Sequence, residues 1–258
     1  MTRQAFARLI AFFLVVSPAA SAPLTVPFDF SKRAIGISAT IRGEPVHVIL
    51  DTGVDPSVVD LRRAEMLGLT VDRTNGGEAS GFGEGKGATI FPARVDSLAI
   101  SGRRFRTFDA LASDMSTLSV HYGSKLDAVL GYSFLSDKIV LIDYPGRTLG
   151  ILARRDEVKA AVRRCRTRWT IPLKTQDSFP VVAGFRLGKA RGTISLDTGA
   201  NGGIGLFRRA LNLPGLRASL VEDGTIVHQG ARGEARAKRF RLAAPVGFGP
   251  FTLPPGRS

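Results

Sequence analysis

Two aspartates, Asp51 and Asp197, stand out by type and repeated setting as residues able to do chemistry. Asp51-Thr52-Gly53 follows the apolar run Val46-His47-Val48-Ile49-Leu50, and Asp197-Thr198-Gly199 follows Thr193-Ile194-Ser195-Leu196. The two tripeptides are 146 residues apart. Two carboxylates at close range cannot both be ionised, so one pKa rises, the other falls, and the pair shares a proton. Such a pair activates a water from one side and protonates a leaving group from the other, which is hydrolysis without a metal or a covalent intermediate. It titrates as a unit, so acid and base roles are not assigned to one residue in advance. Glycine after the threonine allows the tight turn that bares the carboxylate.

Rival chemistries have little to stand on. Cys165 is the one cysteine, so neither an intramolecular disulfide nor a cysteine metal cluster is available. His47, His121 and His228 are scattered, and no metal or other cofactor is expected. Neither G-x-S-x-G nor H-E-x-x-H occurs. The glycine run Gly81 to Gly87 lacks phosphate-loop spacing. His47 reads as a strand residue with no catalytic part, and Asp127 and Asp143 as turn or cap residues.

The elements that position the aspartates come as a repeat. The offset of 146 also carries Arg62-Arg63-Ala64 onto Arg208-Arg209-Ala210, and Val26-Pro27-Phe28 matches Ile171-Pro172-Leu173 at an offset of 145. Ordinary residue usage yields a given tripeptide at roughly 2 in 10,000 positions, so two copies in register indicate related halves. In the first half, residues 35–41 alternate like a strand, 42–45 turn, and 46–50 deliver Asp51. Leu61 to Leu67 has helical spacing, with Asp60 as N-cap and Gly68 as stop. The second half repeats this with strands over 182–187 and 193–196 and a short helix over 207–213. Many short strands and 29 glycines predict a mainly β architecture.

Apolar-apolar-Asp-Thr-Gly, clean in Ile49-Leu50-Asp51-Thr52-Gly53 and with Ser195 at the outer position of Ser195-Leu196-Asp197-Thr198-Gly199, resembles the retropepsin-like aspartic proteases, especially exported bacterial aspartyl-protease-like proteins. Ala128-Val129-Leu130-Gly131 resembles that family's apolar-apolar-Gly element beneath the catalytic loop, and Gly81-Phe82-Gly83-Glu84-Gly85-Lys86-Gly87 stands where the family has its flap. The resemblance implies an acid-protease fold and an aspartic-type endopeptidase acting on peptide or protein substrates. It makes Asp51 and Asp197 the catalytic pair, supported by Thr52, Gly53, Thr198, Gly199 and Gly131. Gly81, Phe82, Gly83 and Gly85 become the substrate flap.

Two departures qualify it. Val54 follows the first motif where the family places a small residue. Asp51 to Gly131 spans 80 residues, and the same spacing from Asp197 reaches position 277, beyond Ser258. The expectation is therefore one complete, β-barrel-like lobe (23–152), a basic linker (153–168) and an incomplete second lobe (169–258). Asp51 pairs either with Asp197 or, in a homodimer through the first lobe, with its own copy. A non-catalytic exported module that binds extended peptides is the rival reading.

Residues 1–22 read as a secretory signal peptide: Arg3 and Arg8, an apolar run from Leu9 to Val16, then Ala20-Ser21-Ala22. This predicts export to the periplasm or beyond. The net charge of +14 would suit anionic envelope surfaces. The basic linker has no interleaved aromatics and no surrounding motif of a nucleic-acid binder, so no nucleic-acid partner is expected.

Overall fold

The computed structural model describes residues 24–81, 83–152, 155–176, 179–200 and 203–256. The signal-peptide segment 1–22 and Phe82 lie outside the described residues.

The first lobe opens with β1 (Leu24–Pro27) and a hairpin of β2 (Ile35–Ile41) and β3 (Glu44–Leu50). Arg42 and Gly43 turn the hairpin with φ of 53° and 86°. β4 (Ser57–Asp60) runs into α1 (Leu61–Met66), where the Asp60 carboxylate accepts the Arg63 N–H at 2.9 Å, the N-cap that the sequence predicts. The short β5 (Thr70–Val71) and β6 (Gly77–Glu78) lead to β7 (Thr89–Val95). Then come β8 (Leu98–Ile100), β9 (Arg103–Arg104), β10 (Phe108–Ser113) and α2 (Ser116–Tyr122). β11 (Ala128–Leu130), α3 (Tyr132–Leu135), β12 (Ile139–Asp143) and β13 (Thr148–Leu152) close the lobe.

The main sheet runs β5-β7-β10-β4-β11-β3-β2-β8-β9, with β6 also on β7, and β1-β13-β12 form a second sheet. β11 threads between the strands on either side of Asp51. It is parallel to β3, with Leu130 opposite Leu50, and antiparallel to β4, with Ala128 opposite Val59. A strand enclosed on both edges and both faces must be apolar throughout, and Ala128, Val129 and Leu130 are all buried. The two sheets enclose a core that includes Leu24, Val26, Ile37, Leu50, Phe134 and Ile151.

The joining segment contains α4 (Arg155–Ala161) and a single 3₁₀ turn. The second lobe consists of β14 (Leu173–Gln176), β15 (Phe179–Leu187), β16 (Ala190–Ser195), β17 (Leu220–Gly230), β18 (Gly233–Leu242), β19 (Val246–Phe248) and β20 (Phe251–Leu253). The repeat is visible in the pairing. β15 and β16 stand for β2 and β3, and β19 lies on β15 (Arg186 opposite Gly247) as β8 lies on β2 (Thr40 opposite Ala99). Counterparts of β10 to β13 are absent among the described residues.

That absence has local consequences. β4 is held between β10 and β11, whereas residues 203–206, at the equivalent place, form no strand. The helix predicted over 207–213 is a 3₁₀ helix, Arg208–Asn212, rather than an α-helix like α1. α1 packs on β4, β5 and β10, and these have no strand equivalents among the described residues of the second lobe. The second core is correspondingly small: Phe185, Leu187, Ala190, Leu216 and Val246.

Candidate active site

Asp51 leaves the end of β3 and Asp197 follows the end of β16. The two loops meet through reciprocal hydrogen bonds. The Thr52 N–H donates to Thr198 Oγ1 at 3.0 Å, and the Thr198 N–H donates to Thr52 Oγ1 at 3.1 Å. The Thr52 hydroxyl donates to the Leu196 carbonyl at 2.7 Å, and the Thr198 hydroxyl to the Leu50 carbonyl at 3.0 Å. A short hydroxyl side chain both donates and accepts, so two threonines tie four backbone groups across a local two-fold relation.

This brings the carboxylates together. The Gly53 N–H donates to Asp51 Oδ1 at 2.7 Å, and the Gly199 and Ala200 N–H groups donate to Asp197 Oδ1, both at 2.9 Å. Each glycine lies against the opposing aspartate. A Cβ on Gly53 would stand 2.6 Å from Asp197 Cγ, and one on Gly199 would overlap the Asp51 carboxylate. The sequence reason for glycine, a tight turn, is therefore joined by a second: only a residue without a side chain lets the carboxylates approach. Asp51 is pushed up to about 7, first by burial and then by the neighbouring Asp197 charge, while the Gly53 and Gly199 N–H groups pull the other way.

The first loop rests on β11. The Asp51 N–H donates to the Leu130 carbonyl at 3.0 Å, and the Tyr132 N–H to the Val54 carbonyl at 2.8 Å. Gly131 passes so close beneath Val54 that a Cβ there would overlap the Val54 carbonyl. Its N–H donates to Ser57 Oγ at 2.9 Å, and the Ser133 hydroxyl donates to the same oxygen at 2.9 Å. The Val54 side chain packs with a cluster that includes Ile49, Met115 and Val129, so the first departure from the family pattern has an apolar seat.

Ser57 was not legible as a site residue, since its partners lie 74 and 76 residues away with no local pattern. Asp127, expected as a turn or cap residue, proves to be a buried cross-link. Its Oδ2 accepts the His47 N–H at 2.8 Å, and its Oδ1 is 3.7 Å from Arg63 Nε and 3.3 Å from Lys125 Nζ. Asp143 does hold a turn, accepting the Gly146 N–H at 2.9 Å.

The glycine-rich loop meets the second lobe at a separate place, the turn between β17 and β18. The Gly85 N–H donates to the Arg232 carbonyl at 2.7 Å, Arg232 Nε donates back to the Gly85 carbonyl at 3.1 Å, and the Ala88 N–H donates to the Ala231 carbonyl at 3.3 Å. Gly83 has φ of 130°, and a Cβ there would lie 2.5 Å from the Arg232 carbonyl carbon. Gly81 lies beside Ala231. The sequence did carry a signal for this hairpin, because the 146-residue offset takes Gly87 to Gly233. The lobes thus touch at the Asp-Thr-Gly pair and again at the loop and hairpin tip.

Residues 37–134 match the aspartyl protease family. Over that span the first lobe is similar to an aspartyl protease domain. The match takes in Asp51-Thr52-Gly53, the glycine-rich loop and Gly131, and stops before the second repeat. Among solved structures, the chain is similar to a retropepsin-like aspartic protease from Rickettsia conorii (18% identity, 50% of this chain and 90% of that one, TM-score 0.36). It is also similar to the retroviral protease-like domain of Ddi1 from Leishmania major (20% identity, 48% and 97%, TM-score 0.32). A third is the EIAV protease in complex with an inhibitor (24% identity, 45% and 100%, TM-score 0.28). With these TM-scores below 0.5, the reading of the site rests on its own geometry and on the family match. No curated protein matches the chain.

Proposed function

We propose that the chain is an aspartic-type endopeptidase whose dyad is Asp51 and Asp197. The observation that carries this reading is the reciprocal threonine lock, which holds the two Asp-Thr-Gly loops together. Burial, and then the neighbouring Asp197 charge, push Asp51 up to about 7. Below that pH the pair holds one shared proton. The ionised carboxylate takes a proton from a water molecule as its oxygen bonds to the peptide carbonyl carbon. The protonated carboxyl gives its proton to the carbonyl oxygen and, after proton rearrangement in the dyad, the amide nitrogen leaves protonated as the C–N bond breaks. Gly53 and Gly199 permit the close approach, and Thr52 and Thr198 hold it. The glycine-rich loop, joined to the β17–β18 turn, would cover the substrate as a flap. The signal-peptide reading places this activity in the periplasm or outside the cell.

The test is cleavage of a mixed peptide library between about pH 3 and 8 by the chain and by Asp51→Asn and Asp197→Asn variants. Loss in both variants is the expected result. Loss in Asp51→Asn alone would assign the dyad to two copies of the first lobe. A folded parent chain that cleaves nothing at any pH overturns the proposal and leaves the peptide-binding reading.

A further inference from the structure

The second-lobe sheet turns one face to its core and the other to solvent. Val182, Phe185, Leu187, Ala190 and Val246 are buried on the first. The opposite face carries Lys174, Arg186, Arg191, Thr193 and Thr252, all exposed. Pairing sets the cations in place. Arg186 on β15 stands directly opposite Arg191 on β16 and, on its other side, opposite Gly247 on β19. Lys174 on β14 stands opposite Val181, and Lys189 sits in the turn between β15 and β16. No aspartate or glutamate occupies β14, β15, β16, β19 or β20.

Like charges directly opposite on paired strands destabilise a sheet. Nothing among the described residues neutralises this pair. The Arg186 guanidinium lies close over Gly247, where a Cβ would stand 2.9 Å from Arg186 Nη2. Arg191 Nη1 donates to the Gly188 and Ala190 carbonyls, at 3.3 and 3.4 Å. The nearby acids are engaged within the β17–β18 hairpin, Glu222 with Lys238 and Asp223 with Arg239 and Arg241. The repeat supplies a comparison. The counterparts of Arg186 and Arg191 are Thr40 and Pro45, which also stand opposite each other. Thr40 is half-buried and Pro45 exposed, so this face is open in the first lobe too, with β10 to β13 in place. What differs is charge. The counterpart of Lys174 at the offset of 145 is Asp29, and residues 169–258 hold 13 Lys and Arg against 5 Asp and Glu, whereas residues 23–152 hold 14 against 15.

We propose that the outer face of β15 and β16 binds the phosphate groups of an anionic lipid bilayer, with Arg186 and Arg191 as the central contacts and Lys174 and Lys189 beside them. Guanidinium N–H groups bind phosphate oxygens by charge-assisted hydrogen bonds, and the bound phosphates relieve the repulsion that the free sheet carries. Cations spread over β14, β15 and the turn to β16, on a face without acids, match a plane of headgroups rather than one small anion. The export that residues 1–22 predict brings the chain to such a surface. This binding neither uses the dyad nor depends on peptide hydrolysis.

The test sediments the chain without residues 1–22, whose apolar run would bind any bilayer, with vesicles of phosphatidylcholine and phosphatidylglycerol in equal parts. Vesicles of phosphatidylcholine alone run beside them, at about 0.1 M salt, where the Debye length is about 10 Å. Saturable binding to the mixed vesicles only is expected. Arg186→Gln is expected to weaken it about 5-fold, and Arg186→Gln with Arg191→Gln about 30-fold, from the attraction of each surface cation to anionic headgroups. The Tm of the double variant is expected to equal or exceed the parent's, since a like-charge pair has gone. Arg106→Gln with Arg147→Gln removes the same charge from exposed positions of the first lobe and is expected to change binding less than about 2-fold. Equal losses in the two double variants would assign the attraction to net charge and overturn the proposal. Indifference to loss of Arg186 and Arg191, or equal binding to phosphatidylcholine alone, overturns it as well. Inorganic phosphate that displaces the vesicles more than sodium chloride of the same ionic strength would make free phosphate the ligand and overturn the lipid.

Discussion

A carboxyl that the fold keeps protonated leaves a trace in stability. In the unfolded chain Asp51 releases its proton near the ordinary aspartate value of 3.8, and in the folded chain at about 7. Between those values the folded state binds more protons, so stability is highest on the acid side and falls as pH rises, by at most about 1.4 kcal/mol per pH unit. Asp51→Asn removes this titration and the repulsion from Asp197. The expected outcome is a flatter stability curve between pH 4 and 7 and a higher Tm than the parent at pH 8, read by thermal melts across that range. An equal Tm difference at pH 5 and pH 8 would assign the titration to another group. Gly53→Ala acts at the same scale by volume alone. Its Cβ would stand 2.6 Å from Asp197 Cγ, so cleavage is expected to vanish while circular dichroism stays that of the parent. Asp51 and Asp197 were legible because each sits in the same tripeptide after a strand. Ser57 and Asp127 were not, because what makes them matter is long-range: Ser57 meets Gly131 across 74 residues and Asp127 meets His47 across 80.

At the scale of elements, the β2–β3 hairpin and α1 were readable from period and caps, since turn residues and an N-cap act within a few positions. The β17–β18 hairpin was not readable from period; only the repeat offset from Gly87 to Gly233 pointed to it. Its strands run over 11 and 10 residues, yet the sheet has two strands only, so no buried face imposes an apolar alternation on the sequence. The hairpin turn is held instead by main-chain bonds to the glycine-rich loop and by Arg232 Nε on the Gly85 carbonyl, long-range contacts that leave no local pattern. Gly83 tests that junction. An alanine there would have to adopt φ of 130° and press on the Arg232 carbonyl. Gly83→Ala is expected to speed amide exchange at Gly85 and Ala88 without affecting β2 or β3. Unchanged protection at those two amides would show that the loop and the hairpin turn do not meet in solution. Asp127→Asn is the corresponding probe of the β11 entry. It keeps an oxygen for the His47 N–H but leaves Arg63 without its charge partner, and is expected to cost about 3–5 kcal/mol in denaturant unfolding.

Across the whole molecule, two lobes of unequal strength share one site. The first core spans two sheets, while the second-lobe cluster holds five buried residues among those described, so the second lobe is the weaker partner and leans on the interface. Its weakness accompanies the lack of a strand at residues 203–206. The threonine lock couples the lobes. The Thr52 hydroxyl makes two of its hydrogen bonds, to the Leu196 carbonyl and from the Thr198 N–H, so Thr52→Ala is expected to cost about 1–3 kcal/mol of coupling. Because the first lobe retains its own core, that loss should open the interface rather than unfold the chain. Hydrogen exchange is then expected to accelerate over β14 to β20 and stay unchanged over β2, β3 and β11. Cleavage should fall with the closed fraction, since Asp51 and Asp197 belong to different lobes. Thr52→Ser keeps the hydroxyl and is expected to restore both exchange and cleavage. Equal acceleration in the two lobes would mean that they unfold as one unit, and the weak-lobe account would fail.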